Sequence, residues 1–114
     1  MKAAVYYQNG GPDVFRYEEV ADPVPMDHEV LIRVEAISIE GGDTLNRLGG
    51  DLLSTPHIVG YQCAGVVVQA GPLVQKFKVG DRVVTSGTHG SHAELRTAGE
   101  AFCWAVPDDL DLQI

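Results

Sequence analysis

The chain has 114 residues, of which 45% are hydrophobic and 21% charged, and its formal net charge is −8. This length fits one domain with a single core, and the composition is ordinary for a globular protein. The negative charge argues against nucleic acid or an anionic membrane as a partner, since either would require a basic face. No apolar run approaches the ~20 residues that span a bilayer, and the start of the chain turns polar too early for a signal peptide. We therefore expect a cytoplasmic protein.

The predicted elements of the first half are short strands separated by turn residues. Strands are predicted over 2–7, 15–20 and 29–39, with an Asn-Gly-Gly-Pro reversal between the first two. The clearest is EVLIRVEAISI, because the apolar residues at 30, 32, 34 and 36 alternate with their neighbours. Residues 43–48 then predict one or two helical turns, for which Asp43 is a natural N-cap.

The second half is built around the run CAGVVVQA, residues 63–70. It is apolar on both alternations, which favours a strand covered on both faces. Gly65 inside it predicts a close backbone approach or a bend. A second strand is entered through residues 79–81, a turn follows at 89–92, and strands are predicted over 93–97 and 102–106. Pro107 and the acids after it are typical of a helix start.

Two cysteines, Cys63 and Cys103, lie in these apolar segments. Buried, reduced thiols are the simpler interpretation, and a disulfide between them is the alternative. In all, six to eight short strands with almost no helix predict a barrel or a sandwich. An apolar pattern begins at Leu110 and breaks off at Ile114, so we expect a domain taken from a longer chain.

These segments together resemble a known family. The matching pieces are MKAAV at 1–5, GGP at 10–12, EVLIRV at 29–34, Asp43-Thr44, Gly60, AGVV at 64–67 and FKVGDRV at 77–83. The chain resembles, over essentially all 114 residues, the N-terminal GroES-like domain of the medium-chain dehydrogenase/reductase superfamily, in its quinone oxidoreductase branch. The resemblance implies a mainly β fold, a partly open GroES-like barrel with one or two short helices, as one domain over residues 1–114.

The resemblance also implies a second, doubly wound Rossmann domain that binds NADPH. No Gly-x-Gly-x-x-Gly loop, which would seat the pyrophosphate at a helix N-terminus, occurs in this sequence. We therefore expect the cofactor to be held mainly by that missing domain, which is the expected partner of this chain. A homodimer is an arrangement that the resemblance allows.

Zinc-dependent members of the superfamily use a cysteine and a histidine that are both replaced here. Glu40 stands at the position of the cysteine, and Tyr61 stands at the histidine of the Gly-His-Glu motif. Two distant cysteines cannot form the four-sulfur structural site either. His89 and His92 are spaced like metal ligands, but the Gly-Ser between them favours a turn. The resemblance thus implies a zinc-free member with no metal site.

In the quinone oxidoreductase branch, hydride passes from NADPH to a quinone or a conjugated carbonyl compound, and the cofactor carries the difficult step. By position, Glu40, Asp43 and Tyr61 are the candidate catalytic residues, and Thr44 and Gln62 the candidate cofactor contacts. Glu40 is expected to donate or relay a proton, with a solvated acid as the alternative. Asp43 is either a hydrogen bonder in the cleft or a helix cap, and Tyr61 is either a substrate contact or a rim aromatic.

Two other functions stay open at this point. A stand-alone GroES-like binding module without turnover is the main alternative to the enzyme. A chaperonin cofactor fits less well, because only the fold name is shared and a fold alone does not define function.

Overall fold

The computed structural model describes residues 1–39, 41–50, 52, 56–87, 89–107 and 109–112. In these ranges it contains eight strands, one α-helix and two single-turn 3-10 helices. The strands are β1 (Lys2–Tyr6), β2 (Arg16–Glu19), β3 (Glu29–Ile37), β4 (His57–Ile58), β5 (Cys63–Ala70), β6 (Arg82–Thr85), β7 (Leu95–Gly99) and β8 (Cys103–Ala105). The helix α1 spans Gly41–Gly49, and the 3-10 helices span Pro12–Val14 and Glu100–Phe102. None of the helices described is long and apolar enough to cross a membrane.

The strands form two antiparallel sheets, ordered β2-β1-β4 and β7-β3-β5-β6-β8. The segment before β7 joins them, since Ala93 bridges to Ala3 and the Ala4 amide donates to the His92 carbonyl at 3.0 Å. The larger sheet curls but does not close, because β7 and β8 are its two edges. The predicted mainly β, partly open barrel with a short helix is confirmed.

The core lies inside the curl of the larger sheet. Its central cluster consists of Val30, Ile32, Cys63, Val67, Val83, Ala98 and Cys103. The first two alternate along β3 as the sequence predicts, and both are fully buried. Register shifts at Leu31/Ile32 and Val34/Ala36 bend β3 beside β5, as bulges do at the corners of curled sheets.

Strand β5 has the predicted bounds, and its first three residues are buried on both faces. A Cβ added at Gly65 would lie 2.1 Å from the Arg33 carbonyl oxygen on β3. The close backbone approach predicted at this glycine is therefore confirmed.

Several predicted boundaries are wrong. Helix α1 begins at Gly41, so Asp43 lies inside its first turn and is not the N-cap. Strand β7 starts two residues later than predicted, and β4 was not predicted because two residues carry no periodic pattern. Residues 109–112 form turns and bends where a helix was expected, since the Arg82 guanidinium binds the carbonyls of Pro107 and Leu110 that a helix would use.

Candidate functional site

Helix α1 carries a buried carboxylate toward the segment that precedes β7. Asp43 is 4% exposed, and its Oδ2 lies 3.6 Å from His92 Nε2. Both side chains are largely buried, so an ion pair forms here whenever His92 is protonated. The acid in the first turn also complements the positive end of the helix dipole. The contact places this face of α1 beside the segment that precedes β7.

Tyr61 lies across the same helix. Its ring contacts the backbone at Gly42 so closely that a Cβ at residue 42 would lie 2.4 Å from the phenolic oxygen. Asn46 Nδ2 donates a hydrogen bond to that oxygen at 3.1 Å. Because the amide nitrogen only donates, the hydroxyl hydrogen of Tyr61 remains available to an acceptor. The phenolic oxygen is thus held in place by Asn46, and its own O–H is a potential donor to a ligand.

The turn that carries Tyr61 is tied to the strand opposite it. Arg96 Nη1 donates to the Tyr61 carbonyl oxygen at 3.0 Å and also binds Ser91 Oγ. The Ser91 amide in turn donates to the Gly60 carbonyl at 3.3 Å. Gly60 has φ +122°, a conformation that favours glycine. These bonds fix the backbone of the turn that carries Tyr61.

Gln62 faces a different space from Tyr61. It is exposed and lines an open cavity of about 510 Å³ beside Ser38, Thr85, Val84 and Trp104. Asp43 and Tyr61 do not line this cavity. Its wall combines polar side chains with Trp104, and its volume is in the range of small-molecule sites.

The structure therefore brings together two of the five predicted site residues, Asp43 and Tyr61. Thr44 is exposed on the outer face of α1 beside Leu45, which is 69% exposed. Gln62 belongs to the neighbouring cavity. Glu40 lies outside the described residues, so its role stays a prediction.

The thiols and two histidines near the core are electrostatically perturbed. Cys63 and Cys103 are free and buried, as predicted, and burial raises the pKa of both thiols. Burial likewise lowers the pKa of His57, with the neighbouring His89 as a smaller cause, and the two imidazole rings stack with centroids 5.8 Å apart. Across the described ranges, no group of three or more His, Cys, Asp or Glu side chains is arranged to hold a metal.

Asn46, His92 and Arg96 have site contacts that the sequence analysis did not predict. The contacts of Asn46 and His92 with Tyr61 and Asp43 span many residues of chain, and such pairings leave no local pattern. Arg96 did leave a signal, because it shares the inward register of Ala98 in an alternating strand.

The comparison with known proteins completes the description of the site. The family profile of the alcohol dehydrogenase GroES-like domain matches residues 26–108. The chain belongs to this family. A quinone oxidoreductase of Lama guanicoe is 36% identical over 117 residues, which cover 99% of this chain and 36% of that protein. The GroES-like domain thus spans about a third of the length of this relative.

Solved structures agree with this assignment. A Pseudomonas syringae quinone oxidoreductase superimposes with a TM-score of 0.93 and 32% identity, over 97% of this domain and 35% of that chain. The Escherichia coli quinone oxidoreductase complexed with NADPH superimposes with a TM-score of 0.93 and 26% identity, over 99% of this domain and 35% of that chain. The predicted GroES-like fold and the quinone oxidoreductase branch of the medium-chain dehydrogenase/reductase superfamily are confirmed.

Proposed function

We propose that this domain forms the substrate-side wall of an NADPH-dependent, zinc-free oxidoreductase that reduces quinones or conjugated carbonyl compounds. The quinone oxidoreductase relatives support the substrate class, and the E. coli relative complexed with NADPH supports the cofactor. When bound, NADPH supplies the hydride. The tasks left to this domain are to orient the substrate, exclude water and hold a proton near the oxygen that is reduced.

The observation that carries the proposal is the placement of Tyr61. Its phenol stands at the motif position of a zinc-binding histidine, packs on Gly42 and accepts from Asn46 at 3.1 Å. A phenolic O–H held at this anchorage is suited to donate to a quinone or carbonyl oxygen as negative charge develops there. Tyr61 is therefore the proposed proton donor, and Asn46 is the residue that positions it.

The other candidates have supporting roles in this proposal. The pair of Asp43 and His92, 3.6 Å apart, holds the helix that carries Asn46. Gln62, on the wall of the 510 Å³ cavity, and Thr44, on the outer face of α1, are the proposed contacts to the nicotinamide side. Glu40, immediately before α1 in sequence, remains the proposed proton relay.

The test uses the longest natural polypeptide that contains this chain. We expect it to bind NADPH and to reduce 1,4-naphthoquinone at a rate that a metal chelator leaves unchanged. Replacing Tyr61 by Phe removes one hydrogen-bond donor and should lower kcat by about 100-fold. Tyr17→Phe is the matched control, because Tyr17 is 72% exposed on β2. An unchanged rate for Tyr61→Phe would refute the catalytic role.

A stand-alone binding module without turnover is the second candidate. If the natural polypeptide ends with this domain and does not bind NADPH, the module is correct and the enzyme is excluded. A micromolar affinity of the 114-residue chain itself for NADPH would contradict both proposals.

A further inference from the structure

Arg96 is a buried cation to which no role has been assigned beyond its hydrogen bonds. It is 6% exposed and lies on the edge strand β7, with its side chain inside the barrel. Nη1 donates to the Tyr61 carbonyl and to Ser91 Oγ, whereas Nε is buried without a partner. Among the residues that the structure describes, no carboxylate forms an ion pair with it.

A burial of this kind is energetically unfavourable unless something offsets it. A charge removed from water loses a large hydration free energy, and two neutral oxygen acceptors restore only part of it. A counter-anion beside the guanidinium would restore the rest. The guanidinium also presents two parallel N–H groups that match a carboxylate.

The surroundings of Arg96 leave room for such an anion. Gly87 and Gly90 line the space beside the guanidinium. A Cβ at Gly87 would lie 2.1 Å from Nη2, so only a glycine at residue 87 lets the guanidinium reach this space. Arg96 lines an open cavity of about 650 Å³ in the gap between β7 and the chain that enters β8. This volume is typical of a small-molecule site.

The lining of this cavity indicates what kind of anion fits. Leu95, Thr97, Ala98 and Phe102 line the cavity, and most of its surface is apolar. Glu29 lines the same cavity, and the chain carries a net charge of −8, so a doubly charged anion would be repelled more than a singly charged one. The favoured ligand has one negative charge and an apolar body.

We propose that Arg96 anchors a binding site for a small apolar monocarboxylate in the open side of the barrel, between Gly87, Gly90 and the edge strand β7. The site does not depend on NADPH or on Tyr61 chemistry. It is therefore tested without NADPH, in the longest natural polypeptide that contains this chain, and its failure leaves the proposed oxidoreductase function untouched.

The probes are benzoate, its neutral analogue benzamide and inorganic phosphate, each titrated while thermal unfolding and the Arg96 Nε–H resonance are followed. We expect benzoate to raise Tm and to shift the Nε–H resonance, and benzamide and phosphate to do neither. In Arg96→Met the Kd for benzoate should rise by roughly tenfold or more, as the loss of a charge-assisted contact requires. Arg33→Met is the matched control, because Arg33 is exposed on β3 and paired with Glu35.

Three results would overturn the proposal. They are no effect of benzoate on the wild-type chain, an equal effect of benzamide, and an equal affinity for benzoate in Arg96→Met. If Arg96→Met does not fold, the Nε–H resonance of the wild-type chain still decides the matter. A shift that saturates with benzoate supports the site, and an unmoved resonance refutes it.

Discussion

Replacing Gly65 by Ala tests the packing that gives the barrel its shape. The new Cβ would lie 2.1 Å from the Arg33 carbonyl oxygen and 2.8 Å from Ile32 Cγ2, both on β3. Carbon–oxygen contacts between neighbouring strands are about 3.3–3.6 Å, so the strands would have to separate by roughly 1.2 Å. Because the obstacle is backbone at the centre of the larger sheet, no side-chain rotation relieves it.

Overpacking of a core commonly costs about 1–3 kcal/mol, and a rigid backbone clash belongs at the upper end of that range. We expect Gly65→Ala to lower the free energy of unfolding by about 3 kcal/mol, which for a domain of this size lowers Tm by about 10 °C or more. Urea denaturation followed by far-ultraviolet circular dichroism measures the loss.

Gly49→Ala is the control for this substitution. A Cβ at Gly49 meets nothing within 4 Å, and the residue ends α1, so alanine should be neutral or stabilise by up to about 1 kcal/mol. If the free energy of unfolding of Gly65→Ala lies within about 0.5 kcal/mol of the wild-type value, the range of ordinary surface substitutions, the predicted backbone clash is wrong.

Three further predictions follow from the charges and thiols. Burial lowers the pKa of His57 below its ordinary value of 6.5, so the unfolded chain binds this proton more readily than the folded one. The free energy of unfolding should therefore fall as pH drops through 6.5. Urea midpoints measured between about pH 8 and 5 should decline less in His57→Phe than in the control His28→Phe, in which an exposed histidine is replaced. Burial raises the pKa of the Cys63 and Cys103 thiols, which keeps them in the unreactive thiol form. A thiol reagent at about pH 8 should therefore label the native chain many-fold more slowly than the chain unfolded in urea. Equal labelling rates would show that the thiols are accessible in the native chain. If Glu40 donates or relays a proton, its protonated form is the active one, so Glu40→Gln should remove the alkaline limb of the pH–rate profile for quinone reduction. An unchanged profile and rate would exclude that role.

The parts of the fold that the sequence predicted well are those decided locally. Strand β5 was predicted to the residue, because a run that is apolar on both alternations between glycine turns has few other solutions. Helix α1 was placed correctly but began earlier than expected. Two glycines at its start have low helix propensity, and it is the Tyr61 ring lying over Gly42 that packs this turn.

The contacts of the candidate site were less predictable, because they join residues that are distant in the sequence. Motif position alone pointed to Tyr61 and Asp43, and the structure places Asp43 in α1 and Tyr61 against that helix. It did not show that Asn46 would orient the phenol or that His92 would face the carboxylate, because these contacts join residues 15 and 49 positions apart. A sequence pattern reports which face a residue occupies, and only the curl of the sheet decides which faces meet.

The single tryptophan of the chain has a consequence for observing this domain at work. Trp104 lies on the edge strand β8, is 53% exposed and borders the cavity that Gln62 lines. Its fluorescence emission should therefore be that of a solvent-exposed indole, and a ligand or domain that covers this edge should shift the emission maximum to shorter wavelength. Trp104 is thus an intrinsic fluorescent probe for the binding of a ligand or a second domain at this edge.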